Sequence, residues 1–447
     1  MKLKHSLAVS SLIICNLFPS LASAQTLQQA IQKTIDDNPQ IQAAKSERSA
    51  VANEISQAKS AYFPTIDIAA GIGWEQSSNP TTRGRTDGTV SYGREEASIQ
   101  LKQMIFDGLA TPSEVDRHEA RTNARAYTVF GQSEITALNA VEAYINVLRR
   151  QELLSLAKDN LLVHQRTNDQ IQLRSQRGIG RRADADQSNG RLALAEKNTL
   201  SEIGNLKDSE TAFLRIIGQL PNDLQSVEAP VTALPKSLES AIEQAVANHP
   251  ILKSANADID SAFAQHDTAK AAYMPRIDFE ASASHNVDLD GIKGKNEDAS
   301  AMVRLRYNLF NGGKDLARRK ETSQLINQAK DIRDNTYRQV VESMRLSWVA
   351  HQTIKSQINF FKTHQDASIK SNRAYQKQFN IGQRTLLDLL DSANEMFVSK
   401  SAYTNAKYDE IFAQYRILTS KGALNNFLNV TLPDESKTLE QAKLARK

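Results

Sequence analysis

The chain has a single cysteine, Cys15. It sits inside a leader-like segment, so a chain cut after that segment carries no thiol. Disulfides, zinc–thiolate centres and cysteine nucleophiles are thereby excluded. Cys15 also follows Ile14 and not the small residue of a lipid-attachment box. Charge of one sign is scarce too. The 55 Lys and Arg nearly balance 51 Asp and Glu, for a formal net charge of +4, and they are mixed along the chain. A nucleic-acid partner is not expected from such a distribution. Past the leader, no stretch has the ~18 consecutive apolar residues of a spanning helix. Spanning strands leave a much weaker trace and are not excluded. Proline is missing from two long stretches, 113–177 and 314–378.

The leader has a basic start at Lys2 and Lys4, an apolar core over 7–18 and a small-residue cleavage site, Ala22-Ser23-Ala24. This pattern predicts a secretory signal over 1–24 and a mature chain from Gln25. The apolar core is too short for a membrane anchor.

Each proline-free stretch would be roughly 100 Å long as one helix, at 1.5 Å per residue. Apolar residues recur at three and four spacing: Leu138, Val141, Ile145 and Leu148 in the first, Ala329, Ile332, Thr336, Val340 and Met344 in the second. Such rods are built to pack lengthwise against other helices.

The chain is a duplication. Leu27, Ala30, Pro39, Ala58, Tyr62, Pro64 and Asp67 return as Leu238, Ala241, Pro250, Ala269, Tyr273, Pro275 and Asp278, 211 positions later throughout. Repeats of this kind decide the fold. The first repeat spans 25–219 and the second 237–430. The linker, 220–236, contains Pro221, Pro230 and Pro235. A polar tail, 431–447, is expected to be loose. Each repeat predicts a short helix (27–37; 238–248), a helix of medium length (39–62; 250–273), two strands, the rod, a glycine break and a last helix (183–218; 385–420). The medium and last helices hold about 60 residues, or roughly 90 Å. Stacked, they match one rod.

The strands alternate. Ile66, Ile68, Ala70, Ile72 and Trp74 oppose Asp67, Ala69, Gly71, Gly73 and Glu75. Ala97, Ile99, Leu101, Gln103 and Ile105 oppose Ser98, Gln100, Lys102 and Met104. In the second repeat Ile277 and Phe279 oppose Asp278 and Glu280, and Val303 and Leu305 oppose Arg304 and Arg306. Runs of about ten residues suit a tilted strand crossing a bilayer. A half-buried soluble sheet alternates in the same way. Four strands cannot close a barrel, and an open edge in hydrocarbon is costly. If they span, chains must share a barrel, in a ring of two or three; only twelve strands leave a roomy lumen.

The duplicated order, the Phe-Asx-Gly turn before each rod (Phe106-Asp107-Gly108; Phe310-Asn311-Gly312) and the Gly-x-Arg breaks (Gly180-Arg181-Arg182; Gly382-Gln383-Arg384) resemble the TolC family of outer-membrane exit ducts. The resemblance implies a mainly α chain with a small β part. It implies a homotrimer with a twelve-stranded membrane β-barrel in outer-membrane lipid and a long periplasmic α-helical barrel. The implied partners are a periplasmic adaptor (membrane fusion) protein and an inner-membrane ABC or proton-driven pump. The implied cargo is drugs, or proteins in type I secretion; the missing lipid box inclines the reading to secretion.

The resemblance also implies a gate at the periplasmic tip. Gly180 and Gly382 match its helix breaks, Arg384 the basic residue of its lock, and Asp186 the acid engaged by that residue. Phe379 and Ala185 replace a Tyr and a Thr, losing two hydroxyls from the lock. Asp388 and Asp391 match a ring of acids at the mouth. From the residues alone, Asp388 and Asp391 are three apart and share a helical face. Six carboxylates from three copies would attract cations, and their repulsion would raise some pKa values. Alternatively, the acids serve the positive end of the helix starting near Arg384.

Other signals point nowhere. Residues 178–183 fit a dinucleotide fingerprint literally but follow a helix, without the βαβ context. The histidines show no metal-ligand spacing. Asp67 and Asp278 read as lumen- or junction-facing polar positions. With no nucleophile, base or metal cluster in view, neither an enzyme nor a cofactor is expected. The competing class is a structural periplasmic coiled-coil scaffold.

Overall fold

The computed structural model describes residues 24–85 and 88–445. The expected leader, 1–24, lies outside the described residues except for Ala24. In chain order the elements are α1 (Leu27–Asp37), α2 (Pro39–Ser60), β1 (Thr65–Ser77), α3 (Pro80–Arg85), β2 (Val90–Phe106), α4 (Ala110–Gln176) and α5 (Arg182–Ile217). The second repeat gives α6 (Leu238–Asn248), α7 (Pro250–Lys270), β3 (Arg276–Val287), β4 (Lys295–Arg306), α8 (Lys314–Asn380) and α9 (Leu386–Ser420). Two short helices follow, α10 (Leu424–Phe427) and α11 (Leu439–Leu444).

The two rods, α4 and α8, have 67 residues each. Pro39 and Pro250 open α2 and α7, where a missing N–H costs nothing. The helices stack as the lengths require. Beside the upper half of α4 runs α2, tied by Lys59–Glu119 at 3.2 Å and Arg125–Glu47 at 3.0 Å. Beside its lower half runs α5, with the Ser188 hydroxyl donating to Asn168 at 2.7 Å. On the other side of α4 stand α7, whose Ser254 donates to the Ala124 carbonyl at 3.0 Å, and α9, whose Asp409 meets Arg149 at 2.6 Å. Beyond them lies α8, linked by Thr322 to His266 of α7 and by Asn372 to Ser392 of α9. One chain thus supplies four columns: α2 over α5, α4, α7 over α9, and α8.

The four strands form one antiparallel sheet in the order β1-β2-β3-β4. Ile66 opposes Leu101, Ile68 opposes Ile99, and Phe279 opposes Val303, so the predicted apolar residues share one face. On the other face Lys102 opposes Glu280 and Asp278 opposes Arg304. The sheet meets the rods through left-handed turns, at Gly108 (φ 73°) and Leu109 (φ 71°), and at Gly312 (φ 71°) and Gly313 (φ 85°).

The main apolar core forms a belt midway along the rods. Ala137, Ala140, Val141 and Tyr144 of α4 meet Ile31 and Ile35 of α1, Phe213 and Ile217 of α5, and Leu418 of α9. Small residues on α4 let α1 approach closely. The linker is pinned here: the Tyr144 hydroxyl lies 2.6 Å from the Gln25 carbonyl oxygen and 2.9 Å from that of Gln225.

The tail after Val430, expected to be loose, is fastened. Thr431 N–H donates to Gln32 at 2.8 Å, Leu439 N–H donates to Asn123 at 2.9 Å, and Thr438 with Gln441 forms a capping box for α11. The tail's backbone N–H groups are met by side chains of α1 and α4, which the polar composition of the tail alone does not reveal. Just before it, buried Glu134 accepts Leu424 N–H at 3.0 Å and Asn425 N–H at 3.1 Å. Burial pushes its carboxyl up to about 7, against the pull of these donors.

Two predictions follow from these contacts. A Cβ on Gly108 would lie 2.6 Å from the Ala271 carbonyl oxygen, whereas one on Gly312 meets open space. Gly312→Ala therefore costs only left-handed strain, about 1–2 kcal/mol. Gly108→Ala must also displace backbone and should lower the thermal midpoint of the detergent-solubilised protein further; equal losses would refute the close approach. Glu134 holds its proton more tightly folded than unfolded, so its contribution to stability falls as pH rises from its ordinary value of 4.5 through about 7. Glu134→Gln should flatten the fall in thermal midpoint across that window.

Candidate functional site

The end of the rods farthest from the sheet is a pair of helical hairpins, α4–α5 and α8–α9. Each turns in five residues, Arg177 to Arg181 and Ile381 to Thr385. Gly382 takes the left-handed position of the second turn (φ 80°). In the first turn, which contains Gly180, that position belongs to Gly178 (φ 74°). Gly180 serves a close approach instead: a Cβ there would sit 3.2 Å from the Ser175 nitrogen. Its N–H reaches back to the Arg174 carbonyl at 3.1 Å.

A small apolar cluster joins the hairpins. Ile171 and Ala185 of the first pack with Leu386 and Leu390 of the second, and Phe379 leans against them. The Arg174 guanidinium stands 5.5 Å from the Phe379 ring centroid, a cation–π contact across the pair. The two residues without hydroxyls, Phe379 and Ala185, are therefore packing residues in this chain. Periodicity did not single out this cluster, because each hairpin supplies only part of it.

The charged residues divide into two groups. Asp391 of α9 is bound to Arg191 of α5 at 2.6 Å. This ion pair, missed from sequence, joins residues 200 positions apart. Asp388 acts as the N3 residue of a capping box: it accepts from the Thr385 hydroxyl at 2.9 Å and the Thr385 N–H at 3.2 Å, and its own N–H donates to the Thr385 hydroxyl at 3.3 Å. The Thr385 hydroxyl first, then the Thr385 N–H and the Arg384 charge, hold its carboxyl below the usual range. Within one chain this is the helix-end role. Arg384 stays on its own hairpin. It donates to Gln378 at 3.1 Å, lies over Tyr375 at 4.4 Å from the ring centroid, and stands 4.0 Å from Asp388. The expected Arg384–Asp186 pair does not form within the chain. Asp186 is exposed on α5, on the opposite hairpin, and among the described residues it has no partner of its own.

A second polar junction ties the hairpins higher up. Glu152 of α4 accepts from Thr404 at 3.1 Å, Lys407 at 3.2 Å and Tyr408 at 2.9 Å of α9. Burial opposes ionisation of Glu152, but these donors outweigh it and keep its carboxyl below the usual range. Among the described residues, no group of His, Cys, Asp and Glu is placed to hold a metal, and no helix is long and apolar enough to cross a membrane.

A long duplicated helical body, an amphipathic four-stranded sheet at one end and paired hairpins at the other define a class of channel-forming chain. The chain belongs to the outer membrane efflux protein family, whose model matches residues 30–219 and 241–423. It is thus an outer-membrane protein that extends into the periplasm, as the resemblance to the TolC family implied. It is 26% identical to the outer membrane efflux protein BepC of Brucella suis, over 90% of this chain and 86% of that one. It is 24% identical to the outer membrane protein TolC of Escherichia coli, over 91% and 84%, and 23% identical to the alkaline protease secretion protein AprF of Pseudomonas aeruginosa, over 90% and 86%. The fold is shared with the CmeC outer membrane channel of Campylobacter jejuni, with a TM-score of 0.76 at 16% identity, covering 92% of this chain and 89% of that one.

Thr385→Ala should fray the first turn of α9, at a cost of about 1 kcal/mol. Because the Asp388 pKa lies below its ordinary 3.8, the cap's charge-assisted part is present above that pH and lost as pH falls through the folded value. Amide exchange at Asp388 should therefore be faster in Thr385→Ala than in the unsubstituted chain at pH 6, with a smaller difference at pH 3.

Proposed function

We propose that three copies close into one tube, twelve strands above and twelve columns below, which exports cargo across the outer membrane. The single observation behind this reading is that one chain carries four strands on four columns, with both sheet edges open. Three copies satisfy both rings at once. The tube would receive cargo from an inner-membrane pump through a periplasmic adaptor seated on the hairpins. Our reading of the cargo is type I protein secretion; its support is the sequence around Cys15, which lacks a lipid box, together with the likeness to a protease secretion protein. Multidrug efflux on the same architecture is favoured by the likeness to BepC.

The hairpins form the gate in this reading. Asp388 and Asp391 of three copies border the mouth. Asp186, without a partner among the described residues of its own chain, is left to meet Arg384 of a neighbouring copy. Arg191–Asp391 and the Arg174–Phe379 contact fasten each copy's hairpins together.

In planar bilayers the purified protein should give discrete channels of low conductance. Arg384→Ser and Arg191→Ala should each raise single-channel conductance; no change in either would refute the gate. Affinity capture from cross-linked cells should bring down an adaptor and pump. Loss of an extracellular protein in a deletion strain supports secretion; sensitivity to drugs without such loss supports efflux.

A further inference from the structure

The polar face of the sheet has an unequal charge arrangement where it meets the helices. Asp278 is fully buried, and Glu280 has only 14% of its side chain exposed. Around Asp278 stand Arg306 at 2.8 Å, Arg276 at 3.0 Å and Lys102 at 3.8 Å. Glu280 is held by Arg306 at 2.6 Å and Arg304 at 2.7 Å. The four cations remain 40–50% exposed. The carboxylates thus lie beneath, and the ammonium and guanidinium groups lie above them. Burying Asp278 is affordable only because three cations surround it. The arrangement leaves four positive charges against two negative ones, with the positive ones on the exposed side.

Register sets the extent of the layer. Arg276 opposes Arg306, Asp278 opposes Arg304, and Lys102 opposes Glu280, in three successive rows at the helix end of β2, β3 and β4. The next row out holds Asp67 with Gln100, Ser282 and Ser300. Farther out come Asp298, Glu96, Arg94 and Glu75 on the same face, an excess of acid. The positive layer is therefore a band at the base of the sheet and not a property of the whole face.

We propose that this band is an internal charge-selective constriction: repeated around the lumen, Arg276, Arg304, Arg306 and Lys102 favour anionic permeants at the base of the barrel. The proposal rests on the export-tube reading, in which the apolar face meets lipid and the polar face meets the lumen. Rings of Arg and Lys select anions in pores generally. The band lies at the opposite end of the rods from Asp388 and Asp391, where the rods meet the sheet, so cargo would pass an acidic mouth before a basic base.

The test uses the full-length oligomer in planar bilayers under a potassium chloride gradient. Lys102 and Arg304 are the cations least bound to buried Asp278, so Lys102→Gln with Arg304→Gln leaves Arg276 and Arg306 in place. We expect the chloride-to-potassium permeability ratio to fall by about twofold. Because a chain starting at Gln25 has no thiol, Arg304→Cys gives a second route that acts after folding. An anionic thiosulfonate should lower the ratio relative to the cationic reagent of similar size. Conductance with an unchanged ratio in both experiments overturns the band and leaves the channel standing. No conductance from the unsubstituted protein overturns both.

Discussion

The two open edges of the sheet constrain everything else. β1 and β4 each leave a row of backbone donors and acceptors without strand partners among the described residues. In water such edges are solvated; in hydrocarbon each unpaired group costs several kcal/mol. The sheet also shows Ile68, Ile72, Trp74, Val303 and Leu305 on one face, between 62% and 85% exposed. A chain with this sheet cannot stand alone in a membrane. The left-handed turns at Gly108–Leu109 and Gly312–Gly313 join the strands to the rods. In the proposed assembly, a seam between copies in the sheet would be continued by a seam between columns.

The duplication is regular in sequence but unequal in burial. α4 lies between two columns and buries residues from Val115 to Ile171, including Ala137, Val141 and Tyr144. α8 stands at the edge and leaves Ile332, Leu346, Val349 and Phe360 more than half exposed. The same helical pattern therefore serves an interior position in one repeat and a boundary in the other. The close-packed turn at Gly108 and the open one at Gly312 follow the same division.

This inequality marks what the sequence could and could not disclose. Element type and order were legible because they rest on local periodicity and on prolines and glycines at fixed places; the rods fell within three residues of their observed ends. The face assignment of the strands was legible because register preserves alternation. The partners at the tip were not. Arg191 reaches Asp391 across two hairpins, and nothing in the spacing of either helix indicates the other. The capping role of Asp388 could be suspected from its place near a helix start, but the Thr385 geometry that carries it was not legible. Gly178 and Gly180 both fit a break, but only backbone angles tell which one turns left-handed. The tail misled because its anchors, Gln32 and Asn123, lie on distant helices and bind its backbone, which its own composition cannot show.

Magnitudes decide what holds the hairpins together. The Arg191–Asp391 pair is partly exposed, with Asp391 at 56%, so it contributes about 0–1 kcal/mol. The cation–π contact of Arg174 on Phe379 is of similar size at an exposed site, about 0.5–1 kcal/mol. Leu386 and Leu390, at 4% and 1% exposure, contribute about 1.5–3 kcal/mol each by burial against Ile171 and Ala185. The apolar cluster therefore contributes more than the ion pair to holding the two hairpins together. An opening motion that slides α9 along α5 can exchange charged partners at little cost, but one that parts them must expose both leucines. For the gate proposed above, sliding with the cluster kept together would be the cheaper path, and it would free the Asp391 carboxylate as the pair with Arg191 breaks.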